Sequence, residues 1–463
     1  MLQEAGHDAH IAVADFFTVQ PEPAFDAVVG NPPYVRYQDF TGEPRTRSRE
    51  AALRAGISLT GLASSWAAFT VHSALFLRPG GRLGLVLPAE LLSVNYAADV
   101  RRFLAQRFRT VRLVLFTERV FPGVLEEVVL LLADGFDEKP SGRFEIYQVR
   151  NLADLADAVV TSWKPPNDGG KWSPSLVPAT ALKPFEFLLA GNGFENLQTW
   201  GETSLGIVTG NNKFFVMPPD RTAELRLDPG ECLPVSPPGS SHLRRTTFDS
   251  GLWREMGLDG KPTLLFRPAD QPSAAAREYI RLGEHEGVDE AYKCRVRNPW
   301  WRVPLVPPAD LFLTYMNSKT TQLCTNRANV YHLNSVHGVY LRDRVRRIGC
   351  DLLPLAALNS MTLLGAEIMG RAYGGGLLKV EPKEADRLPV PSADLVETAG
   401  RDLLAAKAEV LKQVGAGDPI GAVQQIDQIL LRAHAGLTAG EIMALRTAHI
   451  EIRARRHARG ASR

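Results

Sequence analysis

The chain has 463 residues, of which 45% are hydrophobic and 22% charged, and its formal net charge is +2. These values are typical of a soluble globular protein of about three domains. The longest apolar runs, such as residues 128–133, are too short to span a bilayer, and the first ten residues lack the layout of a signal peptide. We therefore expect a cytoplasmic protein without transmembrane segments.

In chain order, the first 150 residues predict alternating strands and helices. Strands are predicted at residues 10–17, 24–29, 82–88, 111–116 and 126–134, and helices at residues 62–76 and 97–108. The glycines of residues 78–81 are expected to end the first of these helices. This alternation is typical of a doubly wound α/β sheet.

The remaining chain divides by composition into three further regions. Residues 151–174 predict a linker, because residues 162–174 are rich in Pro, Gly and Asn. Residues 175–395 predict a mixed, loop-rich domain, and residues 396–463 predict helices with a basic tail. Thr438 and Glu441 have the spacing of a capping box, which predicts the start of a helix.

Cysteines and basic clusters bear on the class of partner. Four cysteines lie far apart in sequence without a C-x-x-C pair, so we expect reduced thiols and no metal site. Residues 293–302, 342–349 and 446–463 are locally basic, and the first cluster also contains two tryptophans. Cations with aromatic residues suit phosphate contacts and base stacking. A solvated surface is the alternative, and for residues 446–463 a disordered tail is supported equally well.

The segment Asn31-Pro32-Pro33-Tyr34 directly follows the strand predicted at residues 24–29. Ligands of open α/β sheets bind beyond the carboxyl ends of the strands. Two prolines give a stiff segment that presents carbonyl groups, and Asn31 adds a side-chain carbonyl. Two such acceptors can hold both hydrogens of an exocyclic amine, while Tyr34 offers a flat face to a base. Unless the segment is only a turn, these groups predict methyl transfer to an amino nitrogen of a planar heterocycle.

The motif and its neighbours resemble a known family, the gamma group of N6-adenine-specific DNA methyltransferases of restriction-modification and phage-defence systems. The matching segments, which extend the resemblance from about residue 10 to about residue 445, are 14–17, 25–34, 77–92, 120–132, 206–216 and 370–391. The resemblance implies S-adenosylmethionine as methyl donor and double-stranded DNA as substrate. It also implies that the target adenine is flipped out of the duplex.

The resemblance assigns roles to individual residues of the catalytic motif. Asn31 and the carbonyl of Pro32 would hold the adenine amino group, and Pro33 and Tyr34 complete the motif. Tyr34 and Phe121 would stack on the two faces of the flipped base. The alternative for Phe121 is a place in the hydrophobic core.

Further residues are implied to bind the cofactor and DNA. Asp15, Phe16 and Asn31 would contact the cofactor, although an acidic residue such as Asp15 is often only a helix cap. The residues implied to contact DNA are Thr209, Asn211, Arg295, Arg297, Trp300, Arg371 and Tyr373. For Trp300, packing between β elements is an equally good interpretation.

The sequence departs from the family pattern at its beginning. In this family a strand, a glycine-rich turn for the cofactor and a second strand precede the segment that resembles residues 14–17, but only fourteen residues precede Asp15. We therefore expect a partial class I, Rossmann-like sheet that lacks its first two strands and spans residues 1–150, a target-recognition domain at 175–395, and C-terminal helices. A partner chain or an upstream segment would supply the missing half, unless the chain is a decayed remnant.

Two other functions remain open on the sequence alone. One is a DNA-recognition subunit without catalytic activity, which the absent glycine-rich turn favours. The other is a protein glutamine methyltransferase, which uses a similar Asn-Pro-Pro-Tyr motif. The long region after residue 175 disfavours this second alternative.

Overall fold

A computed structural model describes residues 10–116, 128–166, 169–373, 375–416 and 419–460 of the chain. The chain divides into two compact units, of which one extends to Leu176 and the other comprises Val177–Gly460. Both units contain helices and strands, so the protein is mixed α/β.

The first unit is built on a six-stranded mixed sheet. Its strands are β1 (Phe25–Gly30), β2 (Leu77–Pro88), β3 (Phe108–Phe116), β4 (Val128–Phe136), β5 (Phe144–Val149) and β6 (Val160–Trp163), and its helices are α1 (Gly42–Arg54), α2 (Ser65–Ala74), α3 (Glu90–Ser93) and α4 (Ala98–Arg107). The strand order is β1-β2-β4-β3-β5-β6. The pairs β1–β2 and β3–β5 are parallel, and the other pairs are antiparallel.

Most of the elements predicted for this unit are confirmed, but two details are wrong. Residues 10–15 form no strand, and Phe16–Thr18 form a 3₁₀ turn because the Asp15 side chain caps it. Ile11 and Val13 are 72% and 100% exposed, and among the described residues no strand pairs with this segment to stabilise an extended conformation. The helix α2 ends at Ala74, and residues 78–81 form a bulge inside β2, where the pairing jumps from Phe25–Leu77 to Ala27–Arg82.

Strand β1 lies at the edge of the sheet. Among the described residues it pairs with β2 alone. Its apolar side chains are poorly covered: Phe25 is 54% exposed and Val29 is 84% exposed. Strands inside a sheet of this kind are buried on both faces, and an exposed apolar edge is a template for pairing with a further strand.

The segment predicted as a linker packs on the first unit. The Arg101 guanidinium, which is buried, donates to the carbonyls of Gly169 and Gly170 at 2.9 and 2.8 Å. Trp172 is fully buried, with its ring centroid 4.7 Å from that of Phe144. These contacts satisfy buried polar groups and fill the core, so residues 169–172 are part of the folded unit.

The second unit combines several small sheets with many helices. Its strands are β7 (Phe194–Asn196), β8 (Gly201–Leu205), β9 (Val216–Met217), β10 (Cys232–Pro234), β11 (Thr247–Phe248), β12 (Leu264–Phe266), β13 (Leu311–Thr314), β14 (Met316–Asn317), β15 (Leu323–Asn326), β16 (Val336–Leu341), β17 (Arg371–Tyr373), β18 (Leu377–Lys379) and β19 (Pro389–Pro391). Its helices are α5 (Ala179–Leu189), α6 (Leu197–Trp200), α7 (Asn212–Phe215), α8 (Pro219–Glu224), α9 (Ser250–Leu258), α10 (Ala274–His285), α11 (Tyr292–Arg295), α12 (Asp343–Ala356), α13 (Ser360–Met369), α14 (Pro382–Ala385), α15 (Ala393–Thr398), α16 (Gly400–Gly415), α17 (Pro419–Asp427) and α18 (Ala439–Gly460).

Two sheets of this unit contain the buried strand β13 and the hairpin of β17 with β18. The order of the first, a five-stranded sheet, is β11-β15-β13-β16-β8, and that of the second, a three-stranded sheet, is β14-β18-β17. Within the described ranges no single helix is long and apolar enough to cross a membrane, and only α12 with α13, bent by 90°, meets the criteria of length and composition as a pair.

The C-terminal helix α18 corrects one expectation and confirms another. The capping box is formed, since Thr438 N–H donates to Glu441 Oε2 at 2.8 Å and Glu441 N–H donates to Thr438 Oγ1 at 3.2 Å. The basic segment is helical as far as Gly460 rather than a disordered tail. His449 and Arg456 are buried in it, at 6% and 3% exposure, because α18 packs against α13 and α5.

Candidate functional site

The Asn-Pro-Pro-Tyr motif lies at the carboxyl end of β1, beside β2. Gly30, the last residue of β1, pairs with Leu85 in the parallel register. Asn31 is exposed and Pro32 is buried. Within the described part of the chain, the carbonyl of Pro32 accepts no hydrogen bond. The motif therefore offers an accessible side-chain amide next to an uncommitted backbone acceptor.

Ser65, the first residue of α2, holds the backbone of the motif. Its hydroxyl donates to the carbonyl of Pro33 and accepts from the N–H of Val35 at 2.9 Å. Its own N–H donates to the carbonyl of Val35 at 3.0 Å. Ser65 is buried, so these bonds are shielded from water. Sequence reasoning missed this residue, because a serine at a helix start indicates only a cap.

Tyr34 connects the motif to the neighbouring strand. Its hydroxyl donates to the carbonyl of Val86 in β2 at 2.9 Å and lies 3.1 Å from Asn31 Oδ1. The phenol therefore fixes the orientation of the ring relative to β2 and lies beside the amide of Asn31. Phe121, the other predicted stacking residue, lies outside the described residues.

Asp15 and Phe16 have structural contacts of their own. Asp15 Oδ1 accepts from the N–H of Phe17 at 3.0 Å, and Oδ2 pairs with the Arg47 guanidinium at 3.2 Å. The hydrogen bond that Arg47 donates to the Asp15 carboxylate raises the pKa of Arg47. A carboxylate has about four lone-pair sites, so Asp15 keeps the capacity to accept a further donor. It is a helix cap, in agreement with the alternative interpretation, without being saturated.

Aromatic residues on α2 and just after it surround Phe16. The Phe16 ring stacks on those of Phe69 and Phe76, each at a centroid distance of 5.5 Å, and its carbonyl lies 3.2 Å from His72 Nε2. Burial lowers the pKa of His72, which therefore stays neutral near pH 7. The carbonyl of Phe76 also accepts from the N–H of Phe25 at the start of β1, at 3.1 Å. Helix α2 thus supports both the segment around Phe16 and, through Ser65, the motif.

A chain of hydrogen bonds lies just beyond the carboxyl end of β2. Trp66 Nε1 donates to the Tyr96 hydroxyl at 3.1 Å, and that hydroxyl donates to Glu90 Oε2 at 2.7 Å. Burial, with the nearby Glu90 charge, raises the pKa of Tyr96, so the phenol remains protonated and fixes the carboxylate. Sequence reasoning assigned no role to these residues, although Glu90 lies in the matching segment 77–92.

In the second unit, four of the predicted DNA-contact residues belong to one cluster. The Arg297 guanidinium donates to the carbonyl of Thr209 at 2.7 Å, and Asn211 caps α7 by accepting from the N–H of Phe214 at 3.2 Å. Trp300 packs on Phe214, with ring centroids 5.6 Å apart. These contacts of Trp300 are those of a packing residue, which was the alternative interpretation of this side chain.

The other three predicted DNA-contact residues lie elsewhere in the unit. Arg295 is exposed and forms no ion pair with any described residue. Arg371 pairs through Nε with Glu384 Oε1 at 2.6 Å, and that carboxylate is 1% exposed. Tyr373 is 51% exposed, with the Lys379 ammonium 5.5 Å from the centre of its ring. Two of the three side chains are thus accessible to a ligand.

The protein resembles known methyltransferases in sequence. A family model for the type II methyltransferase M.Eco57I, C-terminal domain, matches residues 169–431, and one for the Eco57I restriction-modification methylase matches residues 3–121. The type II methyltransferase M.AccI of Acinetobacter calcoaceticus is 23% identical over 392 residues, which cover 82% of this chain and 71% of that protein. M.XamI of Xanthomonas campestris pv. amaranthicola is 26% identical over 403 residues, covering 83% and 71% respectively.

A solved structure shares the fold. The type IIL restriction-modification enzyme MmeI, solved in complex with DNA, superposes with a TM-score of 0.53 at 11% sequence identity. The matched region covers 92% of this chain and 57% of MmeI, so the chain spans a little over half of that enzyme.

Proposed function

Because the chain belongs to the family of the type II restriction-modification methyltransferase M.Eco57I, we propose that it is a site-specific DNA methyltransferase that methylates the N6 amino group of adenine. The observation that carries this proposal is the pair of acceptors at the end of β1. Asn31 is exposed, the Pro32 carbonyl has no partner within the described residues, and Ser65 holds the backbone that presents both.

The residues of the motif would act by positioning the amine. Asn31 Oδ1 and the carbonyl of Pro32 each accept one hydrogen of the adenine amino group, which directs the nitrogen lone pair away from both acceptors. S-adenosylmethionine supplies the activated methyl group when bound. Since the methyl group is already activated, the protein needs no strong base, and catalysis consists of positioning and electrostatics. The tether from Tyr34 to Val86 keeps the motif rigid.

The target adenine must leave the duplex to reach these acceptors. Unstacking costs a few kcal/mol, and stacking on aromatic side chains offsets part of that cost. Tyr34 would provide one face of this stack and Phe121 the other. The tie of the Tyr34 hydroxyl to β2 supports this role, because a ring that is already oriented loses little entropy when a base binds.

The segment at Asp15 and Phe16 fits the adenine moiety of the cofactor in chemistry. The Asp15 carboxylate can accept an exocyclic amine in addition to its two present partners. Phe16 supplies an aromatic surface, although Phe69 and Phe76 already stack on it. Asn31 lies at the end of the strand that comes next in the chain, and so completes the set of cofactor contacts that we propose.

The exposed edge of β1 supports a requirement for further strands. Val29 and Phe25 are largely exposed, and β1 has a neighbour on only one side within the described ranges. A strand provided by a partner chain or by another segment would bury these side chains and extend the cofactor site. Isothermal titration of the 463-residue chain with S-adenosylmethionine tests this part, since micromolar binding by that chain alone would contradict it.

Recognition of double-stranded DNA would be the task of the second unit. Arg295 and Tyr373 are the accessible members of the predicted set and would contact DNA directly. Thr209, Asn211, Arg297 and Trp300 would shape the surface around α11, which carries Arg295. Arg297 bonds to Thr209, and Asn211 and Trp300 both contact Phe214. Arg371 would contact DNA only if its guanidinium bound DNA in addition to Glu384, or if its ion pair with Glu384 broke.

A DNA-recognition subunit without catalysis is the second candidate, and the open edge of β1 favours it. A protein glutamine methyltransferase is disfavoured by the family match over residues 169–431.

The substitution Asn31→Ala tests the catalytic assignment. In the presence of the partner chain or segment that supplies the missing strands, we expect it to abolish transfer of a tritiated methyl group to DNA, because Asn31 holds the adenine amino group. The affinity for DNA should stay unchanged, because the proposed DNA-backbone contacts lie in the second unit. Asn151→Ala, which removes the half-buried cap of a 3₁₀ turn in the same unit, is the control and should retain activity. Wild-type transfer by the Asn31 variant would overturn the mechanism. DNA binding without transfer by the wild-type protein, even with the partner chain or segment present, would favour the second candidate.

A further inference from the structure

Two loops of the second unit are joined by one buried arginine. The first loop is the turn at residues 317–320, which begins at the end of β14, and the second is the tip of the hairpin formed by β17 and β18. Arg456 of α18 donates to the carbonyls of Asn317 and Lys319 at 3.4 and 3.3 Å, and to the carbonyl of Gly376. Its guanidinium thus joins residues that lie about 60 positions apart in sequence.

The charge of Arg456 is balanced inside the protein. Its Nε and Nη2 atoms donate to the two oxygens of Glu367 at 3.0 and 2.7 Å, and both side chains are at most 3% exposed. Burying an ion pair carries a desolvation cost, so such a pair is weak evidence of added stability. Its geometry, in contrast, fixes the carbonyls that it contacts in one arrangement. The structure thus holds the two loops together at a cost in solvation.

Arg244 is a second arginine that contacts the turn. Its guanidinium donates to Asn317 Oδ1 at 2.9 Å and to the carbonyl of Thr320. It has no carboxylate partner within the described residues. The turn is therefore flanked by two arginines, and the charge of one of them is not neutralised.

The surface that these contacts hold in place is cationic and carries hydroxyl and aromatic groups. Ser318 and Lys319 are exposed, and Lys319 makes no ion pair with any described residue. On the hairpin, Tyr373 is 51% exposed, and Lys379 is neutralised by Glu381 at 2.7 Å. The exposed Lys319 and the half-buried Arg244 are thus, among the described residues, unpaired cations at the turn, and the hairpin adds an exposed tyrosine. A polyanion with flat groups, such as duplex DNA, matches this surface.

We propose that the turn at residues 317–320 and the β17–β18 hairpin form one surface that contacts the backbone of duplex DNA, and that Arg456 is the positioning residue that keeps its two halves in register. This inference rests on the proposed function, since it takes DNA as the substrate. Lys319 contacts a phosphate, and Tyr373 lies against the sugar or base edge beside it. Arg456 touches no DNA and acts through the two loops.

The test measures binding of a fluorescein-labelled 30-base-pair duplex by anisotropy at several salt concentrations. Lys319→Ala should weaken binding about fivefold at low salt and reduce the slope of log affinity against log salt by about 0.9, the value for one phosphate contact. Lys412→Ala is the matched control, since Lys412 is an exposed lysine in the last turn of α16. It should leave both quantities unchanged.

The positioning role is tested by a double-mutant cycle. Arg456→Lys keeps the charge beside Glu367 but loses the planar fork, so Lys319→Ala should have almost no further effect in that background. If the two substitutions weaken DNA binding independently, so that their fold-changes in affinity multiply in the double variant, the positioning role of Arg456 is overturned. If Arg456→Lys fails to fold, Tyr373→Ala tests the hairpin through an exposed residue and should also weaken binding.

The outcomes separate this inference from the proposed function. If the wild-type protein binds DNA and both Lys319→Ala and Tyr373→Ala keep its affinity and salt slope, the proposed contact surface is overturned. The proposed methyl transfer would not be affected by that result. An absence of DNA binding by the wild-type protein would overturn both.

Discussion

The candidate catalytic groups of the first unit and one ion pair of the second unit lie in opposite environments. In the first unit the candidate catalytic groups lie at the end of β1, a strand with none of its residues buried. In the second unit β13 is buried along its whole length, and the pair of Arg456 with Glu367 is enclosed. A group that must meet a ligand has to stay accessible, whereas a group that shapes a surface can be buried. Exposure in the first unit and burial in the second are therefore both compatible with function.

The greatest contrast between the units is expected from Glu367→Ala. The substitution leaves the Arg456 charge buried without its carboxylate, so we expect the free energy of unfolding to fall by about 3–5 kcal/mol. Glu138→Ala in the first unit removes an exposed partner of Arg109 and should cost less than about 1 kcal/mol. Urea denaturation measures both. Equal losses would show that the two units do not differ in this respect.

A pH titration of stability should show an intermediate effect. Burial lowers the pKa of His332 to about 4, from an ordinary value of 6.5. His332 therefore becomes protonated near pH 6.5 in the unfolded chain but only near pH 4 in the folded chain. The free energy of unfolding is therefore highest above pH 6.5 and decreases as the pH drops toward 4. His332 alone accounts for a decrease of about 2 kcal/mol between pH 7 and pH 5.

His332→Gln separates this histidine from the others. Thermal unfolding measured at pH 7 and pH 5 should show that the variant loses less stability between these two pH values than the wild type does. His10→Gln, at an exposed position, is the control and should leave the loss unchanged. An identical pH dependence in the His332 variant would contradict the assignment.

A still smaller change in stability is expected from Ser65→Ala in the first unit. Loss of the hydroxyl removes the bonds to Pro33 and Val35, so we expect a loss of about 1 kcal/mol in stability. Methyl transfer should fall about tenfold or more, because a small displacement of the motif misaligns the amine. Ser73→Ala on the same helix is the control, and equal activity in the two variants would argue against a role of Ser65 in positioning.

Local patterns in the sequence predicted much of the first unit. Apolar runs marked β1 and the later strands, and the step of three and four residues marked α2. The order of the strands was beyond reach, because pairing between distant segments leaves no local signal. The predicted strand at residues 10–17 failed for the same reason, since its apolar residues gain nothing without a neighbour.

For the candidate site, the sequence singled out the residues of the motif better than the residues whose contacts hold the motif in place. Asn31 and Tyr34 stood out because their motif is unusual, and the structure puts them side by side. Ser65 and Arg456 did not stand out, because a serine or an arginine in a charged run gives no hint of burial. Their contacts join segments at least 30 residues away in sequence, which only a three-dimensional structure reveals.

The support of two site segments by one helix has a consequence for how this region can vary. Ser65 and His72 lie seven residues apart on α2, which is about 10 Å along its axis. One residue inserted between them would turn the contacts on one side by about 100°, away from either the motif or Phe16. The number of residues between Ser65 and His72 on α2 therefore sets the distance between the two segments. The loop at residues 35–41 and α1 can change length without altering that distance.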